Sequence, residues 1–301
     1  MPLHREGIRL LSDSGLSFTF DDRVSSMITA RSGFGLPPVD NRTRRAPYQH
    51  GASWITFRYN PRIINLPLTM MQCSRTELFA LRKSLIDVVN LFGGAMRLQF
   101  VAPSGNVYYL NVYYQAGLEW TTVDQPTPVV QRAVLQLIAY DPFWYDWDET
   151  EETYSHSFSA ASCFYFRTPD DKLVFPFSFG AAAINYTFEL TNAGDAPVYP
   201  TLTVYGPFDN PRFENTDNSE YILWDNTVPG GSTLVIDCEN KTIELDGVSS
   251  LGSKTPGSSF LSLDPSEMGV TNGLNHLWVS GTQYCGSTGV LVSYRNKYVA
   301  I

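Results

Sequence analysis

Short runs in which apolar and polar residues alternate dominate the first half of the chain, and this period of two predicts β-strands. Ile8 and Leu10, and then Phe18 and Phe20, alternate in this way on the two sides of a turn at residues 12–15. The other runs predicted as strands cover residues 54–59, 63–70, 97–101, 107–113 and 129–139. Turn residues at 103–106 join two of these runs, so we expect a β-hairpin there.

One segment has the period of a helix instead. Ser74 and Glu77 form a capping-box pattern, in which the serine hydroxyl accepts a hydrogen bond from the Glu77 amide and the glutamate side chain returns to the Ser74 amide. Apolar residues then recur at helical spacing, at positions 78, 81, 85, 88, 89 and 92, and Gly93-Gly94 is expected to end the helix. An amphipathic helix among strands must cover one face of a sheet.

Residues 31–52, which we name the arm, lack apolar periodicity and are predicted to form a long loop. The arm contains four arginines, namely Arg31, Arg42, Arg44 and Arg45, and its glycines and prolines include those at 33, 35, 37, 38 and 47. Two interpretations are open at this point. The arm is either a solvated surface excursion or a segment that becomes ordered against a neighbouring subunit.

The second half of the chain is predicted to be all-β. Candidate strands at 186–190, 201–205, 221–224, 233–237, 242–245, 274–279 and 289–294 are separated by turn residues, a pattern typical of a sandwich. An acidic stretch at residues 148–152 marks the expected domain boundary. We therefore predict an N-terminal α+β domain over residues 1–147 and a C-terminal β-sandwich over residues 148–301, in a chain that is mainly β with one main helix.

An aromatic cluster follows the long strand predicted at 129–139. It consists of Phe143, Trp144, Tyr145 and Trp147. Asp141-Pro142 comes directly after the strand and should fold the cluster back onto it, so we favour a plug at the domain junction. A contact between subunits and a stacked platform for sugars are the alternatives.

Composition and charge limit the function further. Charged residues are only 17 % of the 301-residue chain and hydrophobic residues are 43 %, which favours packed cores over disorder. The net charge of −9 argues against a protein that binds nucleic acid by neutralising phosphates. No apolar run approaches the roughly 18 residues of a membrane span, and the first residues lack the apolar core of a signal peptide. We expect no membrane partner and assembly in the cytoplasm.

The sequence contains no recognisable pattern of catalytic or metal-binding residues. The histidines at 4, 50, 156 and 276 do not fall at metal-ligand spacing, and no nucleophile elbow or phosphate-binding loop occurs. Acidic neighbours such as Glu151-Glu152 are interpreted as a solvated face. The cysteines at 73, 163, 238 and 285 are interpreted as small buried or half-buried side chains, with one disulfide as the alternative. We predict no enzymatic activity, no cofactor and no bound metal.

Several short motifs follow one another along nearly the whole chain. In the first half they are Tyr48-Gln-His-Gly51, Asn60-Pro-Arg-Ile63, the helix with Leu78, Arg82 and Leu85, and Asp141-Pro-Phe-Trp144. In the second half they are residues 192–206, Asn210-Pro211, 234–237, 242–247, 259–261, 273–275, and Tyr294-Arg295 with Tyr298. Their order and spacing resemble the distal tail proteins of long-tailed bacteriophages, the siphoviruses. No reactive group lies in residues 192–206, so this stretch indicates construction and not catalysis.

The resemblance implies both a fold and a function. The N-terminal domain would be a split-barrel-like sheet with a helix, and the C-terminal domain a galectin-like sandwich. Six copies would form a ring at the distal end of the tail tube, between the tail tube protein above and the hub or tip protein below. The sandwich would project outward and hold side-fibre or receptor-binding proteins for host attachment. The lumen would pass the tape measure protein and then DNA, without specific binding.

The candidate contact residues in such an assembly are Arg31, Arg42, Arg44, Arg45, Tyr48, Trp144 and Trp147. The arm is the candidate for reaching the next protomer, where its arginines would pair with acidic residues. Two alternatives have a different chemistry. The sandwich could be a carbohydrate-binding module for host-surface recognition, or the chain could be a glycoside hydrolase, which needs two carboxylates that converge in a cleft.

Overall fold

The computed structural model describes residues 7–20, 26–89, 94–120, 130–157, 182–268, 270–283 and 287–301. It divides into two compact units. The first is built from Met1–Asp148 together with Lys297–Ile301, and the second from Glu149–Asn296. The described residues are mostly strands with one α-helix, so the predicted fold class is confirmed.

The strands lie in chain order along both units. Those of the first unit are β1 (Gly7–Ser12), β2 (Ser17–Phe20), β3 (Ser26–Ile28), β4 (Val39–Arg44), β5 (Ser53–Tyr59), β6 (Arg62–Met71), β7 (Met96–Val101), β8 (Val107–Gly117), β9 (Val130–Ala139) and β10 (Trp144–Asp146), with helix α1 (Arg75–Val88) between β6 and β7. Those of the second unit are β11 (Thr150–Ser157), β12 (Ala182–Thr191), β13 (Thr201–Tyr205), β14 (Phe208–Asn215), β15 (Glu220–Leu223), β16 (Thr227–Val228), β17 (Thr233–Asp237), β18 (Thr242–Leu245), β19 (Val248–Ser249), β20 (Leu274–Gln283) and β21 (Ser287–Tyr294). Short 3-10 helices cover Leu251–Ser253, Ser266–Met268 and Thr271–Gly273, and β22 (Lys297–Tyr298) belongs to the first unit.

One long strand of the first unit, β8, pairs with strands of both halves of the sheet. The described strands of this unit pair in the order β2-β1-β7-β8-β9-β6-β3, and β10 pairs with β8 and β22. The first part of β8 pairs with β7, and its last residues pair with β9. Side chains from both halves, such as Leu10, Leu98 and Leu135, share one buried core. This arrangement agrees with the predicted split-barrel-like sheet.

Helix α1 starts where its capping sequence predicts. The Ser74 hydroxyl accepts a hydrogen bond from the Glu77 amide at 3.2 Å, which satisfies one of the free amides of the first turn. Leu78, Leu85 and Val88 are buried in the core of the first unit. The helix ends at Val88, earlier than predicted. The expected ending near Phe92 and Gly93 lies outside the described residues.

The arm is a hairpin over part of its length, so the prediction of a loop throughout residues 31–52 is wrong. Strand β4 pairs antiparallel with β5, from Val39 opposite Tyr59 to Arg44 opposite Ser53. Every residue of β4 is exposed. A strand with two solvated faces lacks the apolar alternation that marks a half-buried strand, and for this reason the sequence pattern did not reveal it.

The second unit is a sandwich of two antiparallel sheets around one core. Among the described residues, one sheet has the order β11-β21-β13-β17-β18-β19, and the other has the order β12-β20-β14-β15 with β16 added to β14. Leu202 and Val292 come from the first sheet, Phe213 and Leu277 from the second, and all four are fully buried or nearly so in the same cluster. The order of inward and outward positions in each strand follows the alternation of the sequence.

Strand β14 contains Asn210-Pro211, a pair of residues that is common in turns. An Asn-Pro pair favours an extended or turned backbone, and the structure places Asn210 and Pro211 inside the strand. The register against β20 shifts between Asp209 and Arg212, and Asn210 has a φ of 49°. Asparagine tolerates this left-handed conformation better than most residues, so the pair forms a bulge instead of ending the strand.

Buried amide side chains stabilise the loops of the second unit. Asn192 Nδ2 donates to the carbonyls of Ala196 at 2.9 Å and Leu263 at 2.8 Å. Asn215 Nδ2 donates to the Ser262 carbonyl at 2.7 Å and to Asn275 Oδ1 at 3.1 Å. A buried amide must be hydrogen-bonded to be tolerated. The turn that opens residues 192–206 is therefore a fixed internal feature of the sandwich.

Candidate interaction surfaces

The hairpin formed by β4 and β5 is the most exposed ordered element of the first unit. All residues of β4 and most of β5 are exposed, including Trp54 at 61 %, Ile55 at 56 % and Phe57 at 42 %. The hairpin forms a two-stranded sheet of its own within the described residues. An isolated two-stranded hairpin is only marginally stable in water. Packing against a partner surface would therefore stabilise a hairpin of this kind.

Aromatic rings run along the hairpin toward the body of the first unit. A bulge in β5 brings Trp54 within 6.3 Å of the Phe57 ring, and Phe57 meets the Tyr59 ring edge-on at 5.1 Å. Tyr59 in turn meets Phe143 at 5.5 Å. The Trp54 indole donates to Asn41 Oδ1 at 3.2 Å, which fixes its orientation. The result is an ordered aromatic surface that faces solvent.

The hairpin is basic although the chain is acidic. Between Val39 and Tyr59 it carries Arg42, Arg44, Arg45 and Arg58 against one acidic residue, Asp40. The whole chain has a net charge of −9. Tyr48, near the tip, is fully exposed. Of the seven predicted contact residues, the structure therefore gathers Arg42, Arg44, Arg45 and Tyr48 on one projecting element.

Arg31 lies away from the hairpin. Its guanidinium group is 5.4 Å from the centre of the Phe34 ring and 5.2 Å from that of Phe100, and both rings belong to the core of the first unit. Stacking of this kind stabilises a cation on an aromatic face. Arg31 is thus attached to the body of the unit, and only the later arginines of the arm share the hairpin.

The two tryptophans of the predicted contact set differ in burial. Trp144 is completely buried and packs against Phe34 at 5.2 Å and Phe100 at 6.5 Å. It has no surface to offer a partner, so it belongs to the core of the first unit and not to an interface. Trp147 is half-buried and meets the Tyr109 ring edge-on at 5.9 Å. Part of its ring remains accessible.

Beneath Trp144 lies a buried cation that the sequence did not single out. Arg62 is 1 % exposed and donates to the carbonyls of Gly33 at 2.8 Å, Gly35 at 2.6 Å and Val299 at 2.5 Å. Burial lowers its pKa to about 10, which leaves it charged at neutral pH. A side chain on Gly33 would lie 2.3 Å from the Ile63 carbonyl, so only glycine fits there. The arginine appears in the sequence within Asn60-Pro-Arg-Ile63, but nothing local shows that it is buried.

A second exposed surface is the outward side of strands β6 and β9, which we name the β6–β9 face. Register places Ile63 opposite Ile138, and Ile138 opposite Tyr113 of β8. Ile63 is 42 % exposed and Val134 is 48 % exposed. A depression of about 660 Å³ on this side is lined by Thr29, Pro67, Leu68, Thr69, Gly117, Glu119, Arg132, Ala133 and Val134. Exposed apolar area of this kind often marks a site of association.

The described residues offer no group of histidine, cysteine or acidic side chains that could hold a metal ion. In the same ranges, no helix is long and apolar enough to cross a membrane. Cys238 is a buried free thiol, as predicted, but Cys73 is an exposed one, so the prediction of burial is wrong for Cys73. Burial raises the pKa of Cys238 to about 12. Cys163 and Cys285 lie outside the described residues.

The second unit matches a known family by sequence. Residues 193–298 match the family model of the siphovirus-type tail component, C-terminal domain. They include most of the stretch 192–206 and the later motifs that carry the resemblance. The predicted resemblance is confirmed by this match. No curated protein matches the chain by sequence.

Solved structures match the fold of the whole chain. The structure of SPP1 Dit (gp 19.1), described as a paradigm of the hub adsorption apparatus in phages that infect Gram-positive bacteria, has a TM-score of 0.63 at 13 % identity, over 96 % of this chain and 98 % of that one. A chain of the phage p2 baseplate in its activated conformation with Ca has a TM-score of 0.55 at 9 % identity, over 99 % of this chain and 100 % of that one. The same baseplate with Sr gives 0.55 at 10 % identity over equal shares. At these identities the likeness establishes the fold.

Proposed function

We propose that this chain, which carries the C-terminal domain of siphovirus-type tail components over residues 193–298, is a structural protein at the distal end of a phage tail. The observation that carries the proposal is the family match of the second unit, in a chain that shares its fold with SPP1 Dit over nearly its whole length. Construction, and not catalysis, is the proposed role. The site of action is the tail tip of the virion, after assembly in the host cytoplasm.

In the proposed assembly, six copies close into a ring that joins the tail tube protein to the hub or tip protein. A ring requires a contact in which one surface of each protomer meets a different surface of the next, so that rotation closes after a fixed number of steps. The first unit would form the ring. The second unit would hold side-fibre or receptor-binding proteins, and through them serve host attachment.

The acidic balance of the chain supports passage of DNA through such a ring. Each copy contributes a net charge of −9. A lumen with excess carboxylates repels phosphate and keeps nucleic acid from adhering. The tape measure protein and then the DNA would pass through this lumen without a specific binding site.

We assign the hairpin of β4 and β5 to the contact between protomers. It is exposed on both faces, it presents Trp54, Ile55 and Phe57 to solvent, and it is basic in an acidic chain. Outside the hairpin the chain is more acidic still, so the overall charge of a second copy attracts the hairpin, while the contact itself is made by its apolar rings. Association would also bury aromatic rings that are costly to leave in water.

The receiving surface in this proposal is the β6–β9 face of the next protomer. The outward positions of β6 and β9 carry one charged residue, Arg132, and otherwise apolar or neutral polar side chains. Ile63, Val134 and Tyr140 are each more than one third exposed. The hairpin rings and this face have the apolar character found at the centres of obligate interfaces.

Charge reversal on the hairpin tests the proposal without removing a strand. Arg42→Glu combined with Arg44→Glu changes two exposed β4 residues. The control, Arg75→Glu with Lys83→Glu, makes the same charge change on exposed positions of α1 in the same unit. Native mass spectrometry should find hexamers for the parent and the control, and smaller species for the hairpin variant. Hexamers of undiminished abundance in the hairpin variant would remove the hairpin from the ring contact.

A deletion of residues 36–46 is a stronger form of the same test. It removes β4 and therefore leaves β5 without its pairing strand. If this variant still forms hexamers, the arm plays no part in the ring. The proposal of a ring would then need a different contact.

A further inference from the structure

The outward side of the second sheet of the sandwich carries ordered polar and aromatic side chains, of which Trp278 and Tyr221 are half-buried; we name it the Trp278 face. Its members alternate with the buried residues of β12, β20, β14 and β15. Register aligns Thr187 with Trp278, Trp278 with Glu214, and Glu214 with Tyr221 in one row across the sheet. Asn185, Ser280 and Arg212 align in the neighbouring row. The side chains of the face are Asn185, Thr187, Glu189, Arg212, Glu214, Tyr221, His276, Trp278 and Ser280.

The aromatic rings of this face are held in place by polar neighbours. The Trp278 indole nitrogen donates to Asn185 Oδ1. The Arg212 guanidinium lies 4.8 Å from the centre of the Tyr221 ring and 5.7 Å from that of Trp278. Arg212 also donates to Glu214 at 2.6 Å. A strip of ring, guanidinium and ring is thus fixed before any ligand arrives, and preorganisation of this kind favours binding.

The edge of the strip carries further ordered groups. Asp217 accepts a hydrogen bond from the His276 amide at 2.6 Å, and the Asp217 carboxylate lies 3.0 Å from His276 Nδ1. The side chains of His276 and Asp217 are 39 % and 29 % exposed, and those of Arg212 and Glu214 are 38 % and 27 % exposed. Each group is therefore both fixed by the protein and reachable from solvent.

These groups have the chemistry that recognises a sugar ring. A pyranose has an apolar face of C–H groups, which can lie on an aromatic ring, and a rim of hydroxyls. Planar side chains such as asparagine, arginine and glutamate can donate to and accept from adjacent hydroxyls at the same time. These side chains do not belong to the core of the sandwich, because they alternate with the core residues of their strands and point away from them.

Charge on the Trp278 face selects among sugars. One permanent cation, Arg212, stands among three carboxylates, Glu189, Glu214 and Asp217. Arg212 is already paired with Glu214. An anionic ligand would meet like charge here, whereas an uncharged sugar would meet none. We propose that the Trp278 face binds neutral pyranose units of an oligosaccharide.

This inference does not depend on the proposed ring. If the chain serves at a tail tip, the neutral sugars would belong to a polysaccharide on the host surface. The chemistry of the face is the same in a chain with another role. Ring formation and sugar binding can therefore fail separately.

The test uses the full-length protein and ligand-observed NMR with saturation transfer. The neutral probes are lactose, maltotriose and the N-acetylglucosamine trimer, and sialyllactose is the anionic counterpart of lactose. At least one neutral probe should give a signal, and sialyllactose should bind less well than lactose. Absence of signal from all three neutral probes at millimolar concentration would overturn the proposal, as would preferential binding of sialyllactose.

Variants locate the binding on the face. Trp278→Ala should weaken binding by about tenfold or more. Tyr205→Ala, which removes an exposed aromatic ring from the outward side of the other sheet of the sandwich, is the matched control and should leave binding unchanged. Glu214→Gln provides a second variant that keeps the shape of the side chain and should also weaken binding, with unchanged circular dichroism. Equal binding by Trp278→Ala and the parent would place any sugar site elsewhere and overturn the assignment.

Discussion

Arg62 shows how one side chain connects distant parts of the first unit. Its donors reach the carbonyls of Gly33 and Gly35, before β4, and of Val299, near the end of the chain. Its guanidinium group also lies 5.9 Å from the centre of the Trp144 ring. The buried charge is tolerated because backbone acceptors replace the water that it has lost.

Replacing Arg62 by methionine should therefore be costly. Arg62→Met keeps an unbranched apolar side chain but leaves the three carbonyls without their donor. We expect the free energy of unfolding to fall by about 3 kcal/mol, measured by denaturant unfolding of the full chain. The control is Arg75→Met, at an exposed position, for which a change within about 0.5 kcal/mol is expected. Equal stability of the two variants would contradict this account of Arg62.

The two described thiols should differ in reactivity. Cys73 is exposed, and Cys238 is 1 % exposed with its pKa raised to about 12 by burial. The thiolate is the reactive form, so Cys238 stays protonated and inert through the neutral range. At pH 8, iodoacetamide should alkylate Cys73 in the native protein and Cys238 only after denaturation, as read by peptide mapping. If Cys238 of the native protein is alkylated as fast as Cys73, the Cys238 thiol is not buried.

At the residue scale, sequence reasoning succeeded where chemistry is local. The sequence groups the arginines at 31, 42, 44 and 45, and the structure places the last three on one hairpin and Arg31 against Phe34 and Phe100. The sequence of the aromatic cluster does not show which ring faces inward, and for this reason the predicted contact set includes Trp144, which the structure buries. Arg62 was missed because its partners lie far away in the chain, and an arginine is rarely buried.

At the scale of elements, helix α1 was predictable because its start is encoded within one turn. Ser74→Ala removes the hydroxyl that accepts from the Glu77 amide, and we expect a loss of about 1 kcal/mol in the free energy of unfolding. Ser84→Ala, inside the helix, is the matched control and should be neutral or slightly stabilising, because alanine is the better helix former. Thermal and denaturant unfolding measure both. A Ser74→Ala change no larger than that of the control would mean that the cap does not stabilise the helix.

Strands β4 and β5 were harder to predict for the opposite reason. Their residues face solvent on both sides, so no alternation distinguishes them from a loop. Strand β14 presents a related difficulty, since Asn210-Pro211 favours either an extended or a turned backbone and forms a bulge inside the strand. In both cases the pairing strand, and not the local sequence, decides the structure.

The exposed rings of the hairpin give a prediction at the same scale. Trp54→Ala with Phe57→Ala should change the stability of the monomer little, because both side chains are exposed, Trp54 at 61 % and Phe57 at 42 %. The same pair should weaken ring formation, because the proposed contact buries these rings. The control is Val248→Ala with Leu251→Ala, which removes two exposed apolar side chains of the second unit. Analytical ultracentrifugation measures the result, and equal assembly of the two variants would exclude the rings from the contact.

At the scale of the whole molecule, the order of the predicted elements indicates the fold class, although sequence identity to solved structures with this fold is low. SPP1 Dit shares its fold with this chain at 13 % identity. Such a fold depends on the pattern of strands, turns and one helix in this chain, which many sequences can encode. The pairing of β10 with β22 could not be read from the sequence. It joins residues more than one hundred and fifty positions apart, and no local pattern specifies such a pair.

The ring is the central claim, and electron microscopy of the purified chain tests it most directly. Negative-stain images of the full-length protein should show rings with an open centre, and class averages should show six equivalent lobes. The hairpin charge-reversal variant should lose these rings while the α1 control keeps them. Dispersed monomers of the parent protein at high concentration, or closed particles without a central opening, would contradict the account.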